Sequence, residues 1–183
     1  QGILDKANGQ NMTKAQVEAA LNQVTTAKNA LNGDANVRQA KSDAKANLGT
    51  LTHLNNAQKQ DLTSQIEGAT TVNGVNSVKT KAQDLDGAMQ RLESAIANKD
   101  QTKASENYID ADPTKKTAFD NAITQAESYL NKDHGTNKDK QAVEQAIQSV
   151  TSTENALNGD ANLQRAKTEA TQAIDNLTHL NTP

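Results

Sequence analysis

The amino-acid sequence predicts an all-α fold in which tandem three-helix bundles are arranged end to end as an elongated rod. Apolar residues recur at three- and four-residue spacing through most of the chain, which is the period of one helix face. Only two prolines occur in 183 residues, so the helices can be long. The phrase Ala-Leu-Asn-Gly-Asp-Ala-Asn occurs twice, at 30–36 and at 156–162. Such a repeat predicts an array of units that pack mainly against their neighbours.

The duplication extends beyond this phrase. At the offset of 126 that separates residue 30 from residue 156, 18 of the 32 positions in 24–55 are identical to those in 150–181. Turn residues and a histidine are copied together with the apolar positions, so chance helical patterning does not explain the identity. An array of copies favours length, spacing or multivalent binding over catalysis.

Composition and charge exclude several classes of protein. The hydrophobic fraction is 34%, the mean hydropathy is −0.82 and only three residues are aromatic, which argues against one large globular core. Disorder is the rival interpretation, but the regular periodicity favours folded helices. The absence of cysteine excludes disulfide and thiol chemistry. The net charge of −3 and the lack of a basic run make nucleic acid and anionic membranes poor partners.

The first two helices have sequence signals at their ends. A helix is predicted over 12–31, where Thr13 and Gln16 have the spacing of a capping box. The Asn-Gly pair at 32–33 is predicted to supply a left-handed stop, and Asp34 to cap the next helix. The apolar face of this second helix carries Val37, Ala40, Ala44, Leu48 and Leu51.

The middle of the chain contains the longest apolar stripe. No proline or glycine separates Leu51 from Ala57, so the preceding helix either continues or breaks at the Asn-Asn pair at 55–56. A helix is predicted over 56–67, and Thr70 or Thr71 then caps a long one. The stripe of this long helix consists of Val72, Val75, Val78, Ala82, Leu85, Met89, Leu92 and Ile96.

The remaining helices repeat the first plan after a polar connector, predicted over 98–111. Asp112 followed by Pro113 is a cap with proline at the first helical position. The apolar residues of this helix are Ala118, Phe119, Ala122, Ile123, Ala126 and Leu130. Two further helices follow, separated by the Asn-Gly pair at 158–159.

The offset of 126 also shows what the first copy lacks. Gln1 corresponds to Glu127, so the first copy has lost nearly all of its opening helix. Residues 1–54 are therefore expected to be loose, or to be completed by a neighbouring molecule.

Several stretches resemble a known repeat family. Residues 107–112 (Asn-Tyr-Ile-Asp-Ala-Asp) and 115–120 (Lys-Lys-Thr-Ala-Phe-Asp) resemble the opening of a FIVAR module, and 156–159 and 163–167 fit its later helices. Residues 54–59 (Leu-Asn-Asn-Ala-Gln-Lys), continued by Leu62, Ile66, Leu85, Ala88, Met89 and Leu92, look like a GA-type module. Their alternation resembles the giant staphylococcal extracellular-matrix-binding surface proteins.

This resemblance implies a division into three modules. Residues 1–54 would be a truncated FIVAR-like module that keeps its last two helices, 55–107 a GA-like module, and 108–183 a complete FIVAR-like three-helix module. Each would be one unit of a rod of three-helix bundles.

The resemblance also implies a function. The chain would be a non-catalytic segment of a bacterial adhesin, secreted to the cell surface and anchored to membrane or wall outside this segment. It would bind host extracellular matrix, fibronectin first, through multivalent weak contacts, with roles in biofilm, osmotic tolerance and envelope integrity. The alternatives are a discrete serum-protein module of the albumin type and a purely mechanical cell-wall spacer.

Albumin binding is made doubtful by a departure from the family pattern. GA modules of the albumin-binding type use aromatic and apolar residues on a short middle helix. Here residues 67–71 are expected to take the place of that helix, and residues 55–107 contain no aromatic residue.

The histidines permit two interpretations. His53 and His179 occupy equivalent positions, which suggests either a repeated metal or pH-sensing site or a helix-terminal histidine that interacts with the C-terminal dipole. The absence of a second histidine or a cysteine at ligand spacing favours the second interpretation. His134, beside Gly135, is predicted to be a loop residue.

No arrangement in the sequence predicts an enzyme, a metal site, a cofactor or a small-molecule substrate. The carboxylates considered are Asp84, Asp86, Asp110, Asp112 and Asp120. The Asp-Ala-Asp at 110–112 lacks the glycine and glutamate that an EF-hand loop requires, so a helix cap explains Asp112 better than calcium does.

The three aromatic residues are the remaining candidates for a ligand platform. Helical spacing predicts that Phe119 lies in the core, and Tyr108 is expected, more than Tyr129, to reach a surface. The sequence does not identify the ligand-binding residues.

Overall fold

The computed structural model describes residues 11–180, without the side chains of residues 29 and 30. This part of the chain is all-α, as predicted, and contains no strand. Its helices in chain order are α1 (Lys14–Ala30), α2 (Gly33–Thr50), α3 (Asn56–Gly68), α4 (Val72–Ile96), α5 (Lys99–Ala104), α6 (Glu106–Ile109), α7 (Pro113–Leu130), α8 (Lys140–Asn155) and α9 (Gly159–Leu180). None of these helices is long and apolar enough to cross a membrane.

The first bundle consists of α2, α3 and the N-terminal part of α4. Lys41 and Lys45 of α2 reach Glu67 at the end of α3, so these two helices are antiparallel. Asn47 of α2 accepts a hydrogen bond from Gln83 of α4 at 3.1 Å. The buried apolar residues here are Ala44, Leu48, Leu54, Leu62, Ile66, Val75, Ala82 and Leu85.

The second bundle consists of the C-terminal part of α4 with α7 and α8. Arg91 of α4 pairs with Glu144 of α8 at 3.4 Å, and Lys99 of α5 pairs with Glu127 of α7. The buried apolar residues here are Ala88, Met89, Leu92, Phe119, Ala122, Ile123, Ala126, Tyr129, Val143, Ala146 and Val150.

Helix α4 therefore belongs to both bundles. Its apolar stripe is continuous, as the sequence predicts, but the stripe faces α2 and α3 first and then α7 and α8. Helix α2 packs with α3 and α4, and α4 packs with α7 and α8 as well. The division into modules at 54/55 and 107/108 stays a prediction. Periodicity shows that a helix has an apolar face and does not show which helices cover it.

The first and last helices leave their apolar faces exposed. Val24 of α1 is 66% exposed, whereas the equivalent Val150 of α8 is 1% exposed. Ile174, Leu177 and Leu180 of α9 are also exposed. Residues 1–10, the rest of the segment expected to be loose or completed by a neighbour, lie outside the described residues.

Several local predictions are confirmed. Thr13 and Gln16 form the capping box of α1, and Thr71 caps α4. Pro113 occupies the first turn of α7. Phe119 is 1% exposed and lies in the core, because its position on α7 faces α4 and α8.

The chain breaks between α2 and α3, with Asn55 as the N-cap of α3, which confirms the second of the two alternatives that the sequence left open. Other local predictions are wrong. The polar connector over 98–111 contains the short helices α5 and α6. No described residue has a positive φ, so the Asn-Gly pair at 32–33 forms no left-handed stop, and Asp34 lies inside the first turn of α2.

The structure also corrects the reasoning about albumin. The middle helix of the first bundle is α3, a full 13-residue helix, and it is not replaced by residues 67–71. The absence of aromatic residues from 55–107 remains.

Candidate functional site

Polar side chains fasten the two bundles to each other at the start of α3. We call this set the Asn55 joint: Asn55, Gln58 and the α7–α8 connection at 131–139. Asn55 accepts from the N–H of Gln58 at 2.9 Å, and the Gln58 side chain accepts from the N–H of Asn55 at the same distance. This reciprocal pair is a capping box, which satisfies the free amides at the start of α3.

The same Asn55 side chain also reaches the second bundle. Its Nδ2 donates to the carbonyl oxygens of Tyr129 and Thr136, both at 2.9 Å. The carbonyl of Tyr129 lies in the last turn of α7, where no helical partner is available. Asn55 is completely buried, so it joins the end of one helix to the start of another without water between them.

The α7–α8 connection fits closely against this asparagine. Gln58 Nε2 donates to the carbonyl of Lys138 at 3.0 Å, and the N–H of Asn56 donates to the carbonyl of Lys132 at 2.8 Å. A Cβ at Gly135 would lie 2.4 Å from the carbonyl of Asn131 and 2.5 Å from Asn55 Nδ2. Only glycine fits there.

His53 lies beside the Asn55 joint, in the connection between α2 and α3. Its Nδ1 is 2.9 Å from Glu93 Oε2 of α4, and its N–H donates to Asp86 at 2.9 Å. Lys132 donates to the carbonyl of Thr52 and lies 3.6 Å from Glu93. His53 is thus not a helix-terminal residue, as its sequence position suggested, but part of the contact between the bundles.

The other two histidines lie elsewhere. The equivalent His179 is exposed in the last turn of α9, where the dipole interpretation applies. His134 is an exposed residue of the α7–α8 connection, as predicted. Among residues 11–180, no group of three or more histidine, cysteine or acidic side chains is arranged to hold a metal ion.

A second polar contact holds the start of α9. We call it the Asn158 latch: Asn158, Gly159 and Asn162, lying on residues 106–112. Asn158 Oδ1 accepts from the N–H of Asp112 at 3.0 Å, and its Nδ2 donates to Asp112 Oδ2 at 2.9 Å. Asn162 Nδ2 donates to Asp112 Oδ1 at 3.1 Å and to the carbonyl of Asp110 at 2.9 Å.

These contacts change the role predicted for Asp112. It is the N-cap residue of α7, but its side chain makes no capping hydrogen bond and instead accepts from the latch. The hydrogen bonds from Asn158 and then Asn162 lower the pKa of Asp112, because they stabilise its ionised form.

Gly159 makes the close approach possible. A Cβ at this position would lie 2.3 Å from the carbonyl of Glu106 and 2.5 Å from that of Asn107. The N–H of Asp160, free at the start of α9, donates to Asn107 Oδ1 at 3.1 Å. Beyond this first turn α9 projects from the second bundle, with every residue from 164 to 180 exposed.

The aromatic residues contribute mainly to the core. Tyr108 is half-buried, its hydroxyl donates to Asp120 at 2.9 Å, and its ring meets Phe119 edge to face at 6.1 Å. Burial, and then the Asp120 hydrogen bond, raise the pKa of Tyr108. Tyr129 is buried. No aromatic platform is presented to a ligand by these three side chains.

The bundles also leave a groove between them. It is an open depression of about 320 Å³ with lysine and aspartate side chains on its walls, lined by Asp61, Leu62, Lys81, Leu85, Asn137, Lys138, Asp139 and Ala142.

The asparagine contacts do not follow from the local sequence, which predicts only a helix break at Asn55 and a helix stop at Asn158. One signal could have identified them: both belong to phrases that the chain copies, Leu-Thr-His-Leu-Asn and Ala-Leu-Asn-Gly-Asp-Ala-Asn.

Two family models match the chain, in alternation. The FIVAR domain matches residues 1–32 and 88–158, and the GA module matches residues 34–88 and 160–183. The two spans meet at residue 88, inside α4, the helix that packs in both bundles. FIVAR and GA modules are non-enzymatic binding modules, so the chain is not an enzyme.

Very similar sequences occur in much longer proteins. All 183 residues are 97% identical to part of the extracellular matrix-binding protein EbhB of Staphylococcus aureus (strain Newman) and 99% identical to part of EbhA of Staphylococcus aureus (strain Mu3). The chain spans only 3% of the length of these two relatives.

Two solved structures share the fold. A crystal structure of the 756–1003 domain of EbhA from Staphylococcus aureus has a TM-score of 0.83 and 51% identity, over 91% of this chain and 69% of that one. A structure from work on Embp-mediated adherence of Staphylococcus epidermidis to fibronectin has a TM-score of 0.63 and 29% identity, over 68% of this chain and 98% of that one. The chain therefore belongs to the FIVAR domain family, in the alternation with GA modules that it shares with the Ebh proteins.

Proposed function

We propose that this chain is a repeat segment of a bacterial surface adhesin, in which weak contacts repeated along a stiff array bind host extracellular matrix. The observation that carries the proposal is the pairing of modules through α4 and the Asn55 joint. Two modules joined by one helix keep their outer surfaces at a set spacing. The names of the S. aureus relatives support matrix as the class of ligand.

Fibronectin is the matrix protein we propose first. It is the one named for the Embp structure that shares this fold. Because the three aromatic side chains are largely occupied inside the second bundle, one module offers few anchors of the type that dominate tight interfaces. The affinity of one module would then be low, and the number of repeats would raise the apparent affinity of the whole array.

A titration on immobilised fibronectin tests this mechanism. Residue 183 aligns with residue 57 at the offset of 126, so copies of residues 58–183 added after Pro183 extend the array in register. Multivalent binding predicts that four added copies raise the apparent affinity by roughly 10²–10⁴ over the single chain.

A monovalent fibronectin fragment in solution is the matched control. Each array should bind this fragment with the same affinity per repeat, because only a surface presents many sites at once. An apparent affinity for the surface that is independent of repeat number would contradict the proposal.

A discrete serum-protein module remains the alternative to avidity. The presence of a complete middle helix, α3, favours the serum-protein module. The lack of aromatic residues in 55–107 weighs against albumin as its ligand. Passing serum over the immobilised single chain distinguishes the serum-protein module from the avidity mechanism. Retention of albumin as a tight one-to-one complex would support the module and contradict avidity.

A mechanical role in the cell wall is the second function that the structure favours. The Asn55 joint contains a buried hydrogen bond and the Asn158 latch a part-buried one, which suits a spacer that resists bending. We propose that the parent protein has roles in envelope integrity and biofilm, and that these roles follow from this stiffness. Cells whose arrays are shortened would lose osmotic tolerance even where fibronectin binding persists.

A further inference from the structure

The described part of the chain contains Asn-Gly pairs at 32–33, 73–74 and 158–159. An asparagine followed by glycine is chemically unstable in water, because the glycine nitrogen can attack the side-chain carbonyl carbon of the asparagine. Glycine favours this attack, since it has no side chain in the way and moves freely between backbone conformations. At 73–74 the nitrogen is already engaged, because the N–H of Gly74 donates to Thr71 Oγ1 at 2.9 Å.

The Asn158 latch restrains both reacting groups of the pair at 158–159. Asn158 Oδ1 accepts from the N–H of Asp112 at 3.0 Å, and Nδ2 donates to Asp112 Oδ2 at 2.9 Å. These two hydrogen bonds oppose the rotation that would bring the side chain to the glycine nitrogen. Gly159 itself is buried against the carbonyls of Glu106 and Asn107. Its burial limits the access of water and hydroxide, which must remove the proton of the attacking nitrogen.

The pair at 32–33 lacks these restraints in the described chain. Asn32 and Gly33 are exposed, and the Asn32 side chain makes no capping hydrogen bond. Asn32 Oδ1 accepts a long 3.4 Å hydrogen bond from Asn36. Residues 30–36 and 156–162 have the same sequence, so their local chemistry is the same and their surroundings differ. The exposed pair is therefore an internal reference for an unprotected Asn-Gly bond.

We propose that Asn158 is a site of spontaneous deamidation controlled by the latch: the reaction proceeds through the open latch, and its product prevents the latch from closing. In the open state the nitrogen of Gly159 attacks Cγ of Asn158 and forms a C–N bond. The side-chain nitrogen leaves as ammonia, taking up the proton that the glycine nitrogen loses. Water then hydrolyses the cyclic imide at either carbonyl. The product is aspartate, or isoaspartate, in which the main chain runs through the side-chain carbons.

Both products are incompatible with the closed latch. In aspartate a carboxylate oxygen replaces Nδ2, which now lies 2.9 Å from Asp112 Oδ2, so two negative charges would face each other. In isoaspartate the main chain becomes longer just before Gly159, where a Cβ would already lie 2.3 Å from the carbonyl of Glu106. A reversible opening thus becomes permanent, and the start of α9 loses its hold on residues 106–112. This consequence is independent of the ligand that the array binds.

Peptide mass spectrometry of the intact chain tests the protection. The chain is incubated at neutral pH, and the fractions of aspartate and isoaspartate at positions 32 and 158 are followed in tryptic peptides. We expect Asn158 to convert at least ~10-fold more slowly than Asn32, because its reaction waits for the latch to open. In concentrated urea the two rates should be equal, since the sequences around the pairs are the same. Equal rates in the folded chain would overturn the proposal.

Substitutions in the latch test whether it is the latch that protects. Asp112→Ala removes the acceptor of the latch and should raise the conversion rate of Asn158 toward that of Asn32, which should not change. Asp110→Ala is the matched control, because the Asp110 side chain is exposed while its carbonyl still accepts from the latch. Asn162→Ala removes one donor to Asp112 and should give a smaller increase; it replaces Asp112→Ala if that variant loses helical circular dichroism. A rate that no latch substitution raises would overturn the proposal.

Asn158→Asp tests the effect of the product. The protein has no cysteine, so cysteines introduced at the exposed Gln125 and Gln164 can carry spin labels on either side of the latch. By pulsed electron paramagnetic resonance we expect a narrow distance distribution in the labelled chain and a broad one after Asn158→Asp. Asn32→Asp makes the same change at the exposed pair and should leave the distribution narrow. A broad distribution before substitution, or a narrow one after Asn158→Asp, would contradict a latch that deamidation opens.

Discussion

At the scale of single residues, the side-chain amides of asparagine and glutamine hold this protein together where its helices end. Asn55 and Gln58 are the buried polar residues of the described chain, and both bind main-chain carbonyls of the α7–α8 region. Within residues 11–180, no buried side-chain nitrogen or oxygen lacks a partner. An amide suits these places because it donates to one helix end and accepts from another without carrying a charge.

Removing the side-chain amide of Asn55 should therefore lower the free energy of unfolding much more than removing an exposed amide does. Asn55→Ala leaves the carbonyls of Tyr129 and Thr136 without donors and removes the cap of α3, for an expected loss of about 2–4 kcal/mol in the free energy of unfolding. Urea denaturation measures this loss. Asn56→Ala, at an exposed site with a 3.3 Å hydrogen bond, should change it by less than about 0.5 kcal/mol. Equal effects of the two substitutions would contradict the role of Asn55.

The Asn158 latch should be weakened as the pH falls. Hydrogen bonds from Asn158 and Asn162 lower the pKa of Asp112 in the folded state. A lowered carboxyl pKa contributes stability above the unfolded value of about 3.9, and this contribution is lost as the pH falls through the lower folded value. We expect the side-chain amide signals of Asn158 and Asn162 in NMR spectra to move toward those of exposed asparagine below about pH 4.

Asn32 is the internal control for this titration. It has the same position in the repeat and no contact with Asp112, so its signal should not follow that carboxyl group. Parallel shifts of Asn32 and Asn158 would show that acid acts on the whole chain instead of the latch.

At the scale of elements, α4 carries the connection between the bundles. It packs with α2 and α3 and with α7 and α8 without any break in the helix, and Ala88 of its stripe is completely buried. Glycine at 87 costs up to about 1 kcal/mol relative to alanine in a helix interior, and the packing on both sides overrides that cost. Two cores that share a helix should unfold as one cooperative unit.

A core substitution in the first bundle should thus also lower the stability of the second bundle. Ile66 of α3 is completely buried, and Ile66→Ala should lower the free energy of unfolding by about 2–5 kcal/mol. Tyr129 lies in α7, and Tyr108 of α6 packs on Phe119 of α7, so tyrosine fluorescence reports on the second bundle and not on the first. We expect the fluorescence midpoint in urea to fall together with the midpoint from circular dichroism.

Ile174→Ala is the matched control for this experiment. Ile174 lies in the projecting part of α9 and is 62% exposed, so the midpoint should stay the same. A fluorescence midpoint that does not respond to Ile66→Ala would mean that the bundles unfold independently.

At the scale of the whole molecule, the described chain has a stiff central part. It is flanked by two helices, α1 and α9, whose apolar faces are largely not covered by other helices. Helices α4, α7 and α8 bury their stripes on one another, whereas α1 and most of α9 expose theirs. Most of the stability of a helix in a protein comes from packing of its apolar face rather than from helix propensity. The same repeat sequence should therefore have very different local stability at its two positions.

Amide hydrogen exchange at equivalent valines measures this difference. Val24 and Val150 are the same residue at the same repeat position, and we expect exchange at Val150 to be at least ~100-fold slower, because it requires opening of the bundle. Equal protection in the original chain would show that helix propensity, and not packing, stabilises these segments.

The sequence alone determined what depends on neighbours a few residues away. Helix periodicity, the capping box at Thr13 and the proline start at Pro113 predicted nearly all the helices, because turns and caps are made within four residues. The copied phrases indicated an array, which favours spacing or multivalent binding over catalysis. They also marked the asparagines of both joints, although nothing local explained why those residues were copied.

Only the tertiary structure decided which helices share a core and what the asparagines bind. An apolar stripe has the same period whichever helices cover it, so the division of α4 between two bundles could not be read from its sequence. Asn55 meets carbonyls that lie 74 and 81 positions away, and Asn158 meets a carboxylate 46 positions away. Contacts over such separations exist only after the helices have packed, because packing is what brings those atoms within hydrogen-bond distance.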